Sequence, residues 1–232
     1  MGQRLFALVA LLTAIAFPAW AGDQASSAVQ TLAMGYFESH GNNSIDEFLT
    51  QTRPEPPSRA HCDAVIASLP KDGEFEPRPD EIAKIAAARR VLQYHQRSAV
   101  VGFKIIDVGH AFVGLHARSV LLVSRYALSQ VSSEEFAALV AHEIAHDYMW
   151  EEYRRAMERK DKKKTQELEL RCDGIAVLTL RRVGIDPENL VSAVHRVTRF
   201  NQLREAVESS ERYVSLKDRV RFIRAIAGLP WN

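Results

Sequence analysis

Cysteine is nearly absent. Cys62 and Cys172 are the only two thiols in 232 residues, so the chain can form at most one internal disulfide. In an oxidising compartment the two could pair; two buried free thiols are the equal alternative, because distance and geometry decide. An excess of either charge is absent as well: 30 Lys and Arg face 29 Asp and Glu. Discounting Arg4 in the N-terminal stretch leaves 30 − 1 = 29 basic against 29 acidic side chains. That balance argues against a nucleic-acid partner, since no surplus of positive charge is available to neutralise phosphates. There is no internal repeat and no low-complexity tract. Beyond the N-terminus no segment is apolar for long enough to cross a membrane.

What is present begins with Arg4, then LFALVALLTAIAF, then Pro18-Ala19-Trp20-Ala21, which sets small residues where a signal peptidase cleaves. The apolar run of about 13 to 15 residues is shorter than the roughly 20 that span a bilayer as a helix. Residues 1–21 are therefore expected to be a removable secretory signal, and no cysteine follows the cleavage site to carry a lipid. The remaining 232 − 21 = 211 residues suffice for one domain with a proper core. We expect an N-terminal helical and loop arm over 22–80 and the main domain over 81–232.

Within the arm, Leu32, Tyr36 and Phe37 have helical spacing, and the prolines of 53–62 and 69–81 mark loops. From Asp80 a helix is expected, with Ile82, Ile85, Ala86, Arg89 and Leu92 on one face. Two β-branched or apolar runs, 99–109 and 118–124, predict strands. Ser132 with Glu135 has capping-box spacing and opens a long amphipathic helix running from EEFAALVAHEIAHDY into MWEEYRRAMERK. The mixed charges of 151–164 fit a solvated helix end. A second helix, TQELELRCDGIAVLTLRRVG, closes at Gly184 before Asp186-Pro187, and helical stretches near 188–209 and 215–227 complete the chain. The pattern predicts an α+β fold, mainly helical, with a small β-sheet.

The chemistry lies in His142-Glu143-Ile144-Ala145-His146. Four residues advance a helix by slightly more than one turn, so the two imidazoles project from one face and can bind one ion. Glu143, beside them, is placed to take a proton from water at that ion. Chance yields an HExxH in roughly one such sequence in fifty, so the surroundings must decide. A catalytic zinc takes three protein ligands and keeps a position open. The next helix offers Glu169, with Asp173 four residues on, positioned to accept a hydrogen bond from a ligand histidine. Glu167 competes but lacks an acid at that spacing. A third histidine in the HExxHxxGxxH pattern is excluded by Met149 and Glu152.

Over roughly residues 100–225 the chain resembles the gluzincin zinc peptidases, among them HtpX, BepA, the mitochondrial Oma-type proteases and the CAAX prenyl proteases. SSEEFAALVAHEIAH resembles their metal-binding helix. ELRCDGIAVLTLRRVGIDP resembles their E-x-x-A-D helix, with Cys172 in place of the usual alanine. The resemblance implies a zincin-like domain, a Zn2+ cofactor held by His142, His146 and Glu169, Asp173 as the partner acid, and Glu143 as general base. His110-Ala111-Phe112 resembles the Asn-Ala-Phe before the family's edge strand. Ser119–Ser124 would then be that strand, and a polypeptide substrate would pair along it.

Two departures stand out: His116-Ala117 replaces a glycine pair, and Tyr213 stands where the family carries a histidine close to the metal. Tyr213 is thus a secondary catalytic candidate, as a donor to the developing oxyanion; an ordinary half-buried aromatic is the equal alternative. Arg219 matches the family arginine and is expected to tie helices together through a carboxylate. His195 is expected to be an ordinary helix-face residue. Together with the signal, the resemblance implies a periplasmic or extracellular metalloendopeptidase acting on exported or misfolded proteins. The alternative is a periplasmic chaperone or adaptor that retains a non-catalytic zinc site.

Overall fold

The computed structural model describes residues 23–39, 44–70, 74–204 and 214–230. The expected signal at 1–21 and the candidate Tyr213 lie outside the described residues.

Local capping sets most boundaries. After α1 (Asp23–Glu38), α2 (Ile45–Gln51) opens with a reciprocal cap: Glu47 N–H donates to Ser44 Oγ while Ser44 N–H donates to Glu47 Oε2 at 2.8 Å. Ser58 caps α3 (Arg59–Ser68), a helix that begins within the proline-bearing stretch 53–62 expected to be loop and ends before the second at 69–81. A two-residue strand β1 (Glu74–Phe75) precedes α4 (Pro79–Tyr94). Then come β2 (Gly102–Ile106), β3 (Val113–His116), β4 (Val120–Ser124) and α5 (Arg125–Gln130). Five helices follow: α6 (Ser133–Tyr148), α7 (Trp150–Glu158), α8 (Lys162–Arg182), α9 (Glu188–Leu203) and α10 (Leu216–Ala227). The fold is α+β and mainly helical, with one small mixed sheet.

The sheet order is β1-β2-β4-β3, with β2 and β4 parallel and the other pairs antiparallel. This corrects the edge-strand expectation. Ser119–Ser124 forms β4, whose residues are all buried and whose backbone is paired on both sides, by β2 and by β3. It has no free edge for a substrate. Among the described residues the edges of the sheet are β1, two residues long, and β3, four residues long, and it is β3 that contacts α6.

At the centre is α6, which is buried on every side from Glu135 to Asp147 and contacts α4, α8, α9 and β3, while α1, α2 and α10 pack on α8. The expected long helix is broken: Met149, at φ −118° and ψ 17°, separates α6 from α7. The stretch read as an arm contributes to the main core through Val29, Ala33, Phe37, Ile45, Phe48 and Leu49. Gly174 on α8 is what admits Phe37 there, since a Cβ at that position would stand 2.2 Å from the ring. In α4 the buried face is Glu81, Ala88, Val91 and Leu92, and Ile82 is exposed. Buried Glu81 is paired with Arg125, whose Nε lies 3.1 Å from its Oε1. Cys62 and Cys172 are both buried and unpaired. Among the described residues no helix is long and apolar enough to cross a membrane.

Candidate metal centre

The apolar pattern of α6 and its cap at Ser132 carry His142, Glu143 and His146 to the middle of the protein, where all three are buried. One donor atom of each lies within 4.8 Å of the others, and the group could hold a metal ion. From α8, Glu169 approaches the same point. Its Oε2 is 3.5 Å from His142 Nε2 and its Oε1 is 3.8 Å from His146 Nε2. Atoms that ligate one tetrahedral divalent ion at about 2.0 to 2.2 Å stand roughly 3.3 to 3.6 Å from each other. The separations at Glu169 are close to that range.

His142 Nε2, Glu143 Oε1 and His146 Nδ1 are buried without a hydrogen-bond partner. Leaving such groups unpaired in the interior costs about 1 to 3 kcal/mol each; a cation between His142 Nε2, His146 Nε2 and Glu169 removes the cost at His142 Nε2, while His146 Nδ1, the other nitrogen of its ring, stays unpaired. The residues present therefore fit a metal ion.

Around this set lies a second layer. His142 Nδ1 is 2.9 Å from Asp173 Oδ1. A carboxylate only accepts, so Nδ1 carries the hydrogen, and in the neutral ring that a metal requires Nε2 offers its lone pair to the centre. Arg219 on α10 donates to both Asp173 oxygens, from Nε at 2.9 Å and from Nη2 at 2.6 Å. The expected role of Arg219 as a tie between helices is thereby given a partner. Tyr153 on α7 donates to Glu169 Oε1 at 2.8 Å. On the other side, Leu115 N–H of β3 donates to Glu143 Oε2 at 3.1 Å.

These surroundings divide the two glutamates. Burial pushes the Glu143 carboxyl up to about 8, the negative charge of Glu169 adding to the shift against the opposing charge of His142. Burial acts on Glu169 in the same direction, yet the neighbouring His142, His146 and Arg219 hold it down at about 2. Burial lowers His146 to about 4. For His142 burial is outweighed by Asp173 and Glu169, which raise it to about 9.

Of the other residues singled out in the sequence, Glu167 turns away into an ion pair with Arg171 and Lys164, the latter at 3.3 Å. His195 is exposed on α9. His116 and Ala117 lie at the end of β3, and the left-handed pair there is Ala117 and Arg118, at φ 46° and 61°. Sequence reasoning missed Tyr153 and the β3 amide. It also missed a carboxylate next to the site: Asp147 receives Arg97, at 2.7 Å from Nη2, and Arg118. The same two arginines donate to Pro54 O and Glu55 O, both at 2.6 Å. The spacing of His146 and Tyr153 held a signal, seven residues on one helical face, but it presumed an unbroken helix.

No protein-family model matches the chain, and no curated protein sequence matches it.

Proposed function

We propose that this protein is a zinc-dependent metalloendopeptidase of the gluzincin type, in which His142, His146 and Glu169 hold the metal and Glu143 is the general base. The observation that carries the reading is the convergence of two imidazoles from α6 with Glu169 from α8, at 3.5 and 3.8 Å, around buried atoms that lack partners. Two histidines and one glutamate are a ligand set of catalytic zinc, which leaves a coordination position open. When bound, zinc supplies Lewis acidity that polarises a scissile carbonyl and acidifies water.

The protein's own groups divide the remaining work. Glu169 suits the metal better than Glu143, because its oxygens stand 3.5 and 3.8 Å from the Nε2 atoms of His142 and His146. Glu143 Oε1, with no partner, is the atom that takes a proton from the attacking water and passes it to the leaving amine. Asp173, gripped by Arg219, holds the hydrogen on His142 Nδ1.

Substrate recognition is assigned to β3 in place of β4. Phe112 O and His116 O accept from Ser124 N and Ser119 N, so those residues face β4. Val113 and Leu115 alternate with them and face away, toward α6, where an extended polypeptide can add as a strand. Export through residues 1–21 and action on exported or misfolded proteins complete the proposal.

The test is casein cleavage by purified residues 22–232, with and without a chelator, beside Glu143→Gln. Chelator-sensitive cleavage that disappears in the variant, with about one zinc bound per chain in both, is the expected result. Zinc binding without cleavage in either protein would favour the chaperone or adaptor, and absence of zinc would sink the metal assignment.

A further inference from the structure

Tyr153 is drawn into the centre by a break in the chain. In one continuous helix the Cα of residue 153 would stand roughly 10 Å beyond that of His146 along the axis. The chain instead turns at Met149, and Tyr153 N–H donates to Met149 O at 2.8 Å in the first turn of α7. As a result the Tyr153 ring meets the His146 ring at a centroid distance of 4.8 Å and an interplanar angle of 86°. Its hydroxyl reaches a different helix, donating to Glu169 Oε1 at 2.8 Å. One buried side chain, 5% exposed, thus touches two of the three groups assigned to the metal.

We infer that Tyr153 is a positioning residue, which selects the oxygen that Glu169 offers to the metal and fixes the plane of His146. The inference rests on the metal-site reading above and adds a residue to it. The phenol has a single hydrogen, and a carboxylate oxygen engaged by it is a weaker donor to a cation. Oε1 is the engaged oxygen. Oε2, 3.5 Å from His142 Nε2, is left as the ligand, and single-oxygen ligation keeps a coordination position open. The edge-to-face contact restricts rotation of His146, whose Nδ1 has no hydrogen bond to hold it. His142 is held through Asp173, so the two histidines are oriented by different means.

The experiment compares wild type, Tyr153→Phe and Tyr153→Leu by zinc competition against a chromophoric chelator and by the visible absorption of the cobalt(II)-substituted proteins. Tyr153→Phe keeps the ring and loses the hydroxyl. Its zinc dissociation constant should rise about 10- to 100-fold, and its cobalt bands should move in position and intensity while its far-ultraviolet circular dichroism stays that of wild type. Tyr153→Leu should bind more weakly still. Wild-type affinity and an unchanged cobalt spectrum in Tyr153→Phe would overturn the inference alone. If wild type binds neither metal, the metal-site reading falls and the inference with it.

Discussion

Arg219 and Asp173 form a two-point ion pair in the interior, on helices far apart in sequence, with Nε to Oδ2 at 2.9 Å and Nη2 to Oδ1 at 2.6 Å. Asp173 is fully buried and also accepts from His142, so it depends on Arg219 for compensation of its charge. Removing one partner of a buried pair costs about 3 to 5 kcal/mol. Arg219→Leu should lose stability of that order in chemical denaturation of the apoprotein. Asp173→Asn should weaken zinc binding about 10- to 100-fold, measured by chelator competition.

Phe37 and Gly174 should behave as one unit. Gly174→Ala puts a methyl 2.2 Å from the Phe37 ring, and overpacking of this kind costs about 1 to 3 kcal/mol. In a double-mutant cycle with Phe37→Leu, the alanine should cost much less in the leucine background. Equal costs in both backgrounds would show that the ring is not what excludes a side chain at 174.

Ala117 is held in the left-handed region at φ 46°, with Arg118 beside it at 61°. A non-glycine residue there costs roughly 1 to 2 kcal/mol, partly offset by the extra freedom glycine gives the unfolded chain. Ala117→Gly should therefore raise stability by about 0.5 to 1 kcal/mol, read as a higher unfolding midpoint at constant denaturant dependence. Arg118→Gly should not, because it also removes the ion pair with Asp147 and the bond to Glu55 O.

His95 is buried and neutral, its Nδ1 2.7 Å from the Tyr148 hydroxyl and its Nε2 2.9 Å from Thr179 Oγ1. Burial, with the charges of Arg53 and Arg97, lowers it to about 3 from 6.5. The unfolded chain takes up this proton near pH 6.5 and the folded protein does not. The contribution is thus complete above pH 6.5 and is lost as pH falls from there toward 3, at roughly 1.4 kcal/mol per unit. Apo His95→Gln should be less stable than apo wild type at pH 7, but between pH 7 and 5 it should lose stability less steeply, by about one proton. Parallel slopes would show that His95 titrates as in a free peptide.

The contacts that the sequence disclosed are those that helical periodicity determines. His142 and His146 share a face because they are four apart, and Glu169 and Asp173 repeat that spacing on α8. Their meeting at 2.9 to 3.8 Å follows once two such faces pack together. What was hidden depends on partners distant in the chain. In α4 the face packed on α6 includes Ala88, Val91 and Leu92, and Glu81 is buried with Arg125 as its partner, so Ile82 is left outside. The break at Met149 has neither proline nor glycine to announce it, and Tyr153 could not be placed without it. β3 is short and contains Gly114, so its run is too brief to stand out. The resemblance places the edge at the more apolar β4, although continuous apolar character is the mark of a strand buried on both faces.

A four-residue edge has a consequence for selectivity. Only Val113 and Leu115 turn their amides and carbonyls outward, and the Leu115 amide is already shared with Glu143. On the proposed activity, main-chain pairing registers a span of two or three residues in the incoming chain and is indifferent to their side chains. What the edge demands is that this span be extended and unpaired, a condition that folded proteins meet rarely and damaged ones often. On the proposed activity, such a filter would sort chains by their conformation before their sequence.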